Sequence, residues 1–178
     1  MKLKGTNLFN ERAVGQVSLA RPDKIINLTI RALPLGFEEL VLQRLPPPRP
    51  PKKFMMKEGK VLRDERGVPY QELDVENPAF RKAVTHISFL QMIAMVHEAL
   101  KGDPEVSWET IEPKDDAGAG WQAFYEGILG EMRAQNLSTG DIKKIVNKVM
   151  QLSGVREEDI TEARERFLSG GESDLEVP

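Results

Sequence analysis

The stretch NPAFRKAVTHISFLQMIAMVHEALKG, Asn77 to Gly102, reads as one long helix around which the rest of the chain must arrange itself. Asn77 is a good N-cap, and Pro78 suits the first helical position, where a missing N–H costs nothing. Gly102 supplies a left-handed stop, and Pro104 keeps the helix from resuming. Phe80, Val84 and Ile87 fall at helical spacing, and from Ile87 to Val96 apolar residues wrap most of the circumference. A helix apolar nearly all round belongs at the centre of a core. A membrane span needs about 18 or more largely uninterrupted apolar residues. Arg81, Lys82, His86, Gln91, His97 and Glu98 interrupt this one, so burial in protein is expected, with Leu90 and Ile93 inside.

Upstream, Ala13–Leu19 and Lys24–Leu33 alternate as half-buried strands do, with Ile26, Leu28, Ile30 and Ala32 on one face. Pro22 and Asp23 between them form turns, so a β-hairpin is predicted. A lone hairpin is marginal in water and must pack on something. Phe37, Leu40, Val41 and Leu45 give a short helix from Gly36, stopped by Pro46–Pro51, where five prolines in six residues impose polyproline II geometry. That run is a PxxP ligand or, more plainly, a stiff spacer. Residues 52–76 carry turn signals at Lys57–Lys60 and Asp64–Gly67, which a small hairpin, an ordered loop or a segment mobile until a partner arrives would equally satisfy.

Downstream, Trp121–Asn136 returns to helical spacing, and Gly127 and Gly130 inside it are expected to mark a close helix crossing. Ser138–Asp141 opens a helix with the apolar face Ile142, Ile145, Val146, Val149, Met150 and Leu152. A last helix runs from Glu157 or Asp159 through Phe167 and Leu168 to Gly170-Gly171, and Glu172–Pro178 is expected to fray. The expected fold is α+β, mainly α. Residues 1–45 form an N-terminal β-hairpin with a short helix, and 46–76 a proline-rich and charged linker or loop. Residues 77–170 form a helical bundle around the long central helix, and 171–178 an acidic tail.

The 178 residues are 40% apolar and 30% charged, ordinary for one globular domain with an appendage. Cysteine is absent, which removes disulfides, thiolate catalysis and cysteine-ligated metals together. The opening residues hold no signal-length apolar run, so a cytoplasmic location is expected. The net charge of −3 hides an asymmetry: Arg44–Arg66 carries a local +5, and Glu157–Pro178 a local −6. One end can attract the other, a partner can match either patch, or both can simply be solvated. Such a balance is not that of a nucleic-acid binder.

Tests for chemistry return little. His86 and His97 share a helical face but lie about 16 Å apart along the axis, too far to hold one metal. Asp115-Asp116 and Asp103-x-Glu105 sit in loops where turns use the same residues. Gly118-Ala119-Gly120 lacks the strand and Lys-Ser/Thr of a phosphate loop. A helix-turn-helix reading of 141–168 places acidic residues where DNA phosphates would lie. No enzyme, cofactor, metal, nucleic acid or membrane is expected.

The strand and helix LTIRALPLGFEEL (Leu28–Leu40), the proline-rich charged insert and NLSTGDIKKIVNKVMQLSGV (Asn136–Val155) together resemble the tail assembly chaperones of long-tailed phages. The resemblance covers residues 25–168 in pattern and order of elements. It implies a non-enzymatic protein that binds the tape measure protein, or another tail protein, in the host cytoplasm and keeps it soluble until tail-tube subunits polymerise. A structural neck, tail or baseplate subunit is the alternative, and self-association is compatible with either. Adaptable methionines suit a helical client lying in a groove between helices. The contact residues expected on the last two helices are Ile145, Met150 and Phe167.

Overall fold

Alternation along the first strands dictates a sheet with one oily face. In the computed structural model, which describes residues 12–114 and 120–154, β1 (Val14–Ala20) and β2 (Ile25–Arg31) pair antiparallel from Val14↔Arg31 to Ala20↔Ile25. Val17, Leu19, Leu28, Ile30 and the following Ala32 are buried. The turn closes with the Arg21 N–H on the Lys24 carbonyl at 2.8 Å. The hairpin is therefore the one predicted, and it packs on a helix, as its marginal stability alone requires.

That helix is α4 (Thr139–Leu152), which contacts both strands. Its stripe Ile142, Ile145, Val146 and Val149 is buried, and polar groups fasten it at each end. Ser138 and Asp141 form a reciprocal capping box, and Asp141 also takes the Arg21 guanidinium of the hairpin turn at 3.0 Å. Lys144 donates to the Ser18 carbonyl at 2.7 Å, and the Leu33 N–H to Ser153 Oγ at 3.0 Å. A Cβ on Gly15 would lie 2.9 Å from Leu152 Cδ1, so glycine there admits the end of α4.

After α1 (Phe37–Arg44), which buries Phe37 and Val41, comes the long α2 (Pro78–Leu100). Asn77 Oδ1 accepts from the N–H groups of Ala79 and Phe80 at 3.0 and 3.2 Å, confirming the cap. Gly102 has φ 100°, the left-handed stop. Leu90, Ile93, Ala94, Val96, Ala99 and Leu100 are buried, whereas no residue from Pro78 to Phe89 is. Among the described residues α2 alone has the length and composition to cross a membrane. Its second half is protein core instead.

In α3 (Gly120–Ala134) the face Trp121, Phe124, Ile128, Leu129 and Met132 is buried, joined by Tyr125. The glycines of α3 do not mark a helix crossing. A Cβ on Gly127 would meet the Thr110 side chain at 2.8 Å, and one on Gly130 would meet nothing within 4 Å. Gly127 makes room for a loop, and Glu131 holds that loop by accepting from the N–H groups of Glu109 at 3.0 Å and Thr110 at 2.7 Å. The fold is α+β and mainly α. The expected last helix, the acidic tail and Asp115-Asp116 lie outside the described residues.

The chain divides into two units: residues up to Leu45 with those from Phe89 onward, and Pro46–Ser88. The second unit holds β3 (Lys52–Phe54), β4 (Met56–Lys57), β5 (Lys60–Val61), β6 (Gln71–Leu73) and the start of α2.

Candidate functional site

The residues with chemical potential in the first unit have structural work. His97 is buried with its ring against Trp108, Phe124 and Tyr125, at centroid distances of 5.5, 5.2 and 6.4 Å. Burial first, and the positive Lys101 second, push its pKa below the ordinary histidine value, so the ring is neutral. Burial likewise raises the Tyr125 phenol. The Arg44 guanidinium carbon lies 3.4 Å from the Trp121 ring centroid, a cation–π contact that lets the seam between α1 and α3 include a charge. Asp103 is buried and accepts from the backbone N–H groups of Thr29 and Glu105, tying β2 to the loop after α2. These are anchors of a fold. Among the described residues no group of three His, Cys, Asp or Glu side chains is placed to hold a metal ion.

The residues expected to contact a partner do not come together. Ile145 is fully buried against the hairpin side of α4 and offers no surface, which corrects its assignment to a contact patch. The reason is that α4 has a single apolar stripe and the hairpin uses it. Met150 is half-buried at the margin of that stripe, and Phe167 lies outside the described residues. The outward side of α4 presents Lys143, Lys144, Asn147 and Gln151, a polar face rather than a groove wall.

Exposed large apolar side chains occur in both units, among them Leu35 and Ile111 of the first, but only the second carries them without a buried interior. Its architecture follows from three backbone hydrogen bonds that close a ring: Met55 N–H to the Tyr70 carbonyl at 3.0 Å, Tyr70 N–H to Leu62 at 3.0 Å, and Leu62 N–H to Met55 at 2.9 Å. Three short arms leave this junction. The first pairs β3 with β6, and the second pairs β4 with β5. Glu58 and Gly59 close the second arm with φ of 52° and 78°, the two-residue turn whose twist matches the strands. The third is bridged at Arg63↔Pro69 and closed by Gly67 at φ 78°. There Asp64 Oδ1 accepts from the N–H groups of Arg66 at 2.9 Å and Val68 at 2.7 Å. The turn signals in the sequence mark two of these arms; the pairing of β3 with β6 across sixteen intervening residues carries no local signal.

No residue from Pro46 to Ser88 is buried. Phe54, Met56, Val68, Tyr70, Leu73 and Val75 are each 48–58% exposed. Scattered exposed apolar residues are normal, but six in one small unit that has no interior are not. Cations share this surface. Lys53 pairs with Asp74 at 3.3 Å and Glu72 at 3.5 Å, while Lys52, Lys57 and Lys60 pair with no described residue. Lys57 and Lys60 stand directly opposite each other, a like-charge pair that costs stability until an anion approaches. Comparison with protein-family models, with curated proteins and with solved structures finds no match.

Proposed function

We propose that this chain is a non-enzymatic phage tail assembly chaperone that binds the tape measure protein in the host cytoplasm. The observation that supports the reading is the second unit: an ordered three-armed ribbon with no buried residue and six half-exposed large apolar side chains. Burying apolar surface is worth about 25 cal/mol per Å². A ribbon that forgoes it within its own chain is suited to recover it on a partner. Phe54, Met55, Met56 and Tyr70 are adaptable and aromatic residues of the kind enriched at interfaces. The client contact therefore belongs to residues 52–75 rather than to α4.

The test is co-expression with the long, helix-rich tail protein encoded nearby, followed by size-exclusion chromatography. The wild type co-elutes with that protein, and Phe54→Ser/Met56→Ser/Leu73→Ser does not while keeping its helical circular dichroism. A client that stays soluble without this chain sinks the proposal. Presence of the chain in purified particles at fixed copy number assigns it instead to a structural neck, tail or baseplate subunit.

A further inference from the structure

Strand geometry turns the backbone groups of successive residues to opposite edges. In 52–57 the Pro51 carbonyl and both backbone groups of Met55 are used inward, on Asp74, Tyr70 and Leu62. The N–H and C=O of Lys52, Phe54 and Met56 therefore face the other edge, along which no described strand lies. The same alternation puts Lys52, Phe54 and Met56 on one face and Lys53, Met55 and Lys57 on the other, with Lys60 opposite Lys57. This edge offers a ladder of free backbone groups, one face bearing two exposed apolar side chains, and a second face bearing lysines.

We propose that the edge of 52–57 accepts residues 172–178 of a second copy as an added strand. The segment reads ESDLEVP: Glu172, Asp174 and Glu176 alternate with Ser173, Leu175 and Val177. Laid along the edge, period-two alternation puts Leu175 and Val177 on the face of Phe54 and Met56, and the three carboxylates on the face that carries Lys53 and Lys57, with Lys60 one strand further in. Lysines on an open edge repel another copy of the same edge, so they block edge-to-edge aggregation. They admit an acidic strand, which makes the pairing head-to-tail and selective. The inference shares a surface with the client reading but needs no client, and its test contains none.

The full chain is followed by sedimentation velocity over a concentration series, alone and as two charge-reversed variants. Lys57→Glu/Lys60→Glu reverses the edge, and Glu172→Lys/Asp174→Lys/Glu176→Lys reverses the segment. The wild type associates with increasing concentration and less so at high salt, and each variant alone is weakened at least about tenfold. Mixing the two variants restores association, because the lysine segment of one meets the glutamate edge of the other. Circular dichroism matching the wild type shows that each variant is folded. A monomeric wild type at every concentration overturns the proposal. So does a mixture that stays monomeric, or variants that associate as the wild type does.

Discussion

Leu90 has no exposed surface, and it sits where the apolar wrap of α2 meets the core. Leu90→Ala removes about three heavy atoms' worth of contacts and leaves a cavity, so it is expected to cost about 2–5 kcal/mol. Chemical denaturation reads this as a lower midpoint at unchanged slope; an unmoved midpoint takes α2 out of the core. His97 gives a pH signature. Its pKa is lowered in the folded chain, mainly by burial, so the unfolded chain binds the proton more readily. The associated stability is complete above the unfolded value of about 6.5 and falls as pH drops below it, by at most about 1.4 kcal/mol per pH unit, until the folded pKa is reached. Between about pH 6.5 and 5 the wild-type unfolding midpoint is expected to fall more steeply than that of His97→Gln. Parallel curves show that the buried ring takes up its proton within the fold. Ile145 teaches the limit of reading at this scale. Its place in an amphipathic stripe is legible from spacing, but spacing does not say whether the stripe meets the chain's own hairpin or a partner.

At the scale of elements, capping and alternation were readable because they are local. Asn77, Ser138 and Gly102 punctuate helices where the sequence places them, and the hairpin strands lie within a residue or two of the alternating runs. α4 depends on more than its own pattern. Asp141 is part of the capping box and also pairs with Arg21 from the hairpin turn. Burial pushes its pKa up, but the hydrogen bonds from Arg21 and Ser138 outweigh that, and the carboxyl is held below its ordinary value. Asp141→Ala removes both links and is expected to cost roughly 1–2 kcal/mol, seen as a lower thermal midpoint. Arg21→Ala alone keeps the cap and is expected to cost less; equal losses place the whole effect in the ion pair. The close approach of Thr110 to Gly127 was not legible, because the loop residue that fills a glycine's space need not be near it in sequence.

For the whole molecule, the two units are joined on one side by Pro46–Pro51. Replacing that run with a Gly/Ser linker of equal length is expected to leave the far-ultraviolet circular dichroism of the first unit's helices unchanged, because no proline in it is buried. Loss of helical signal makes the run part of the core. The sequence by itself determined the class of fold, the hairpin, the four described helices and most of the first unit's core, since each of these rests on periodicity and caps acting within a few residues. It also showed a basic stretch and an acidic one. Only the tertiary structure decided which apolar residues stay uncovered. The β3–β6 pairing and the ring through Met55, Leu62 and Tyr70 join residues far apart in the chain, and they leave the ribbon without an interior. Burial is a property of what lies opposite a side chain, and neither composition nor spacing records that. Thus the same kind of apolar residue became core at Ile145 and open surface at Phe54.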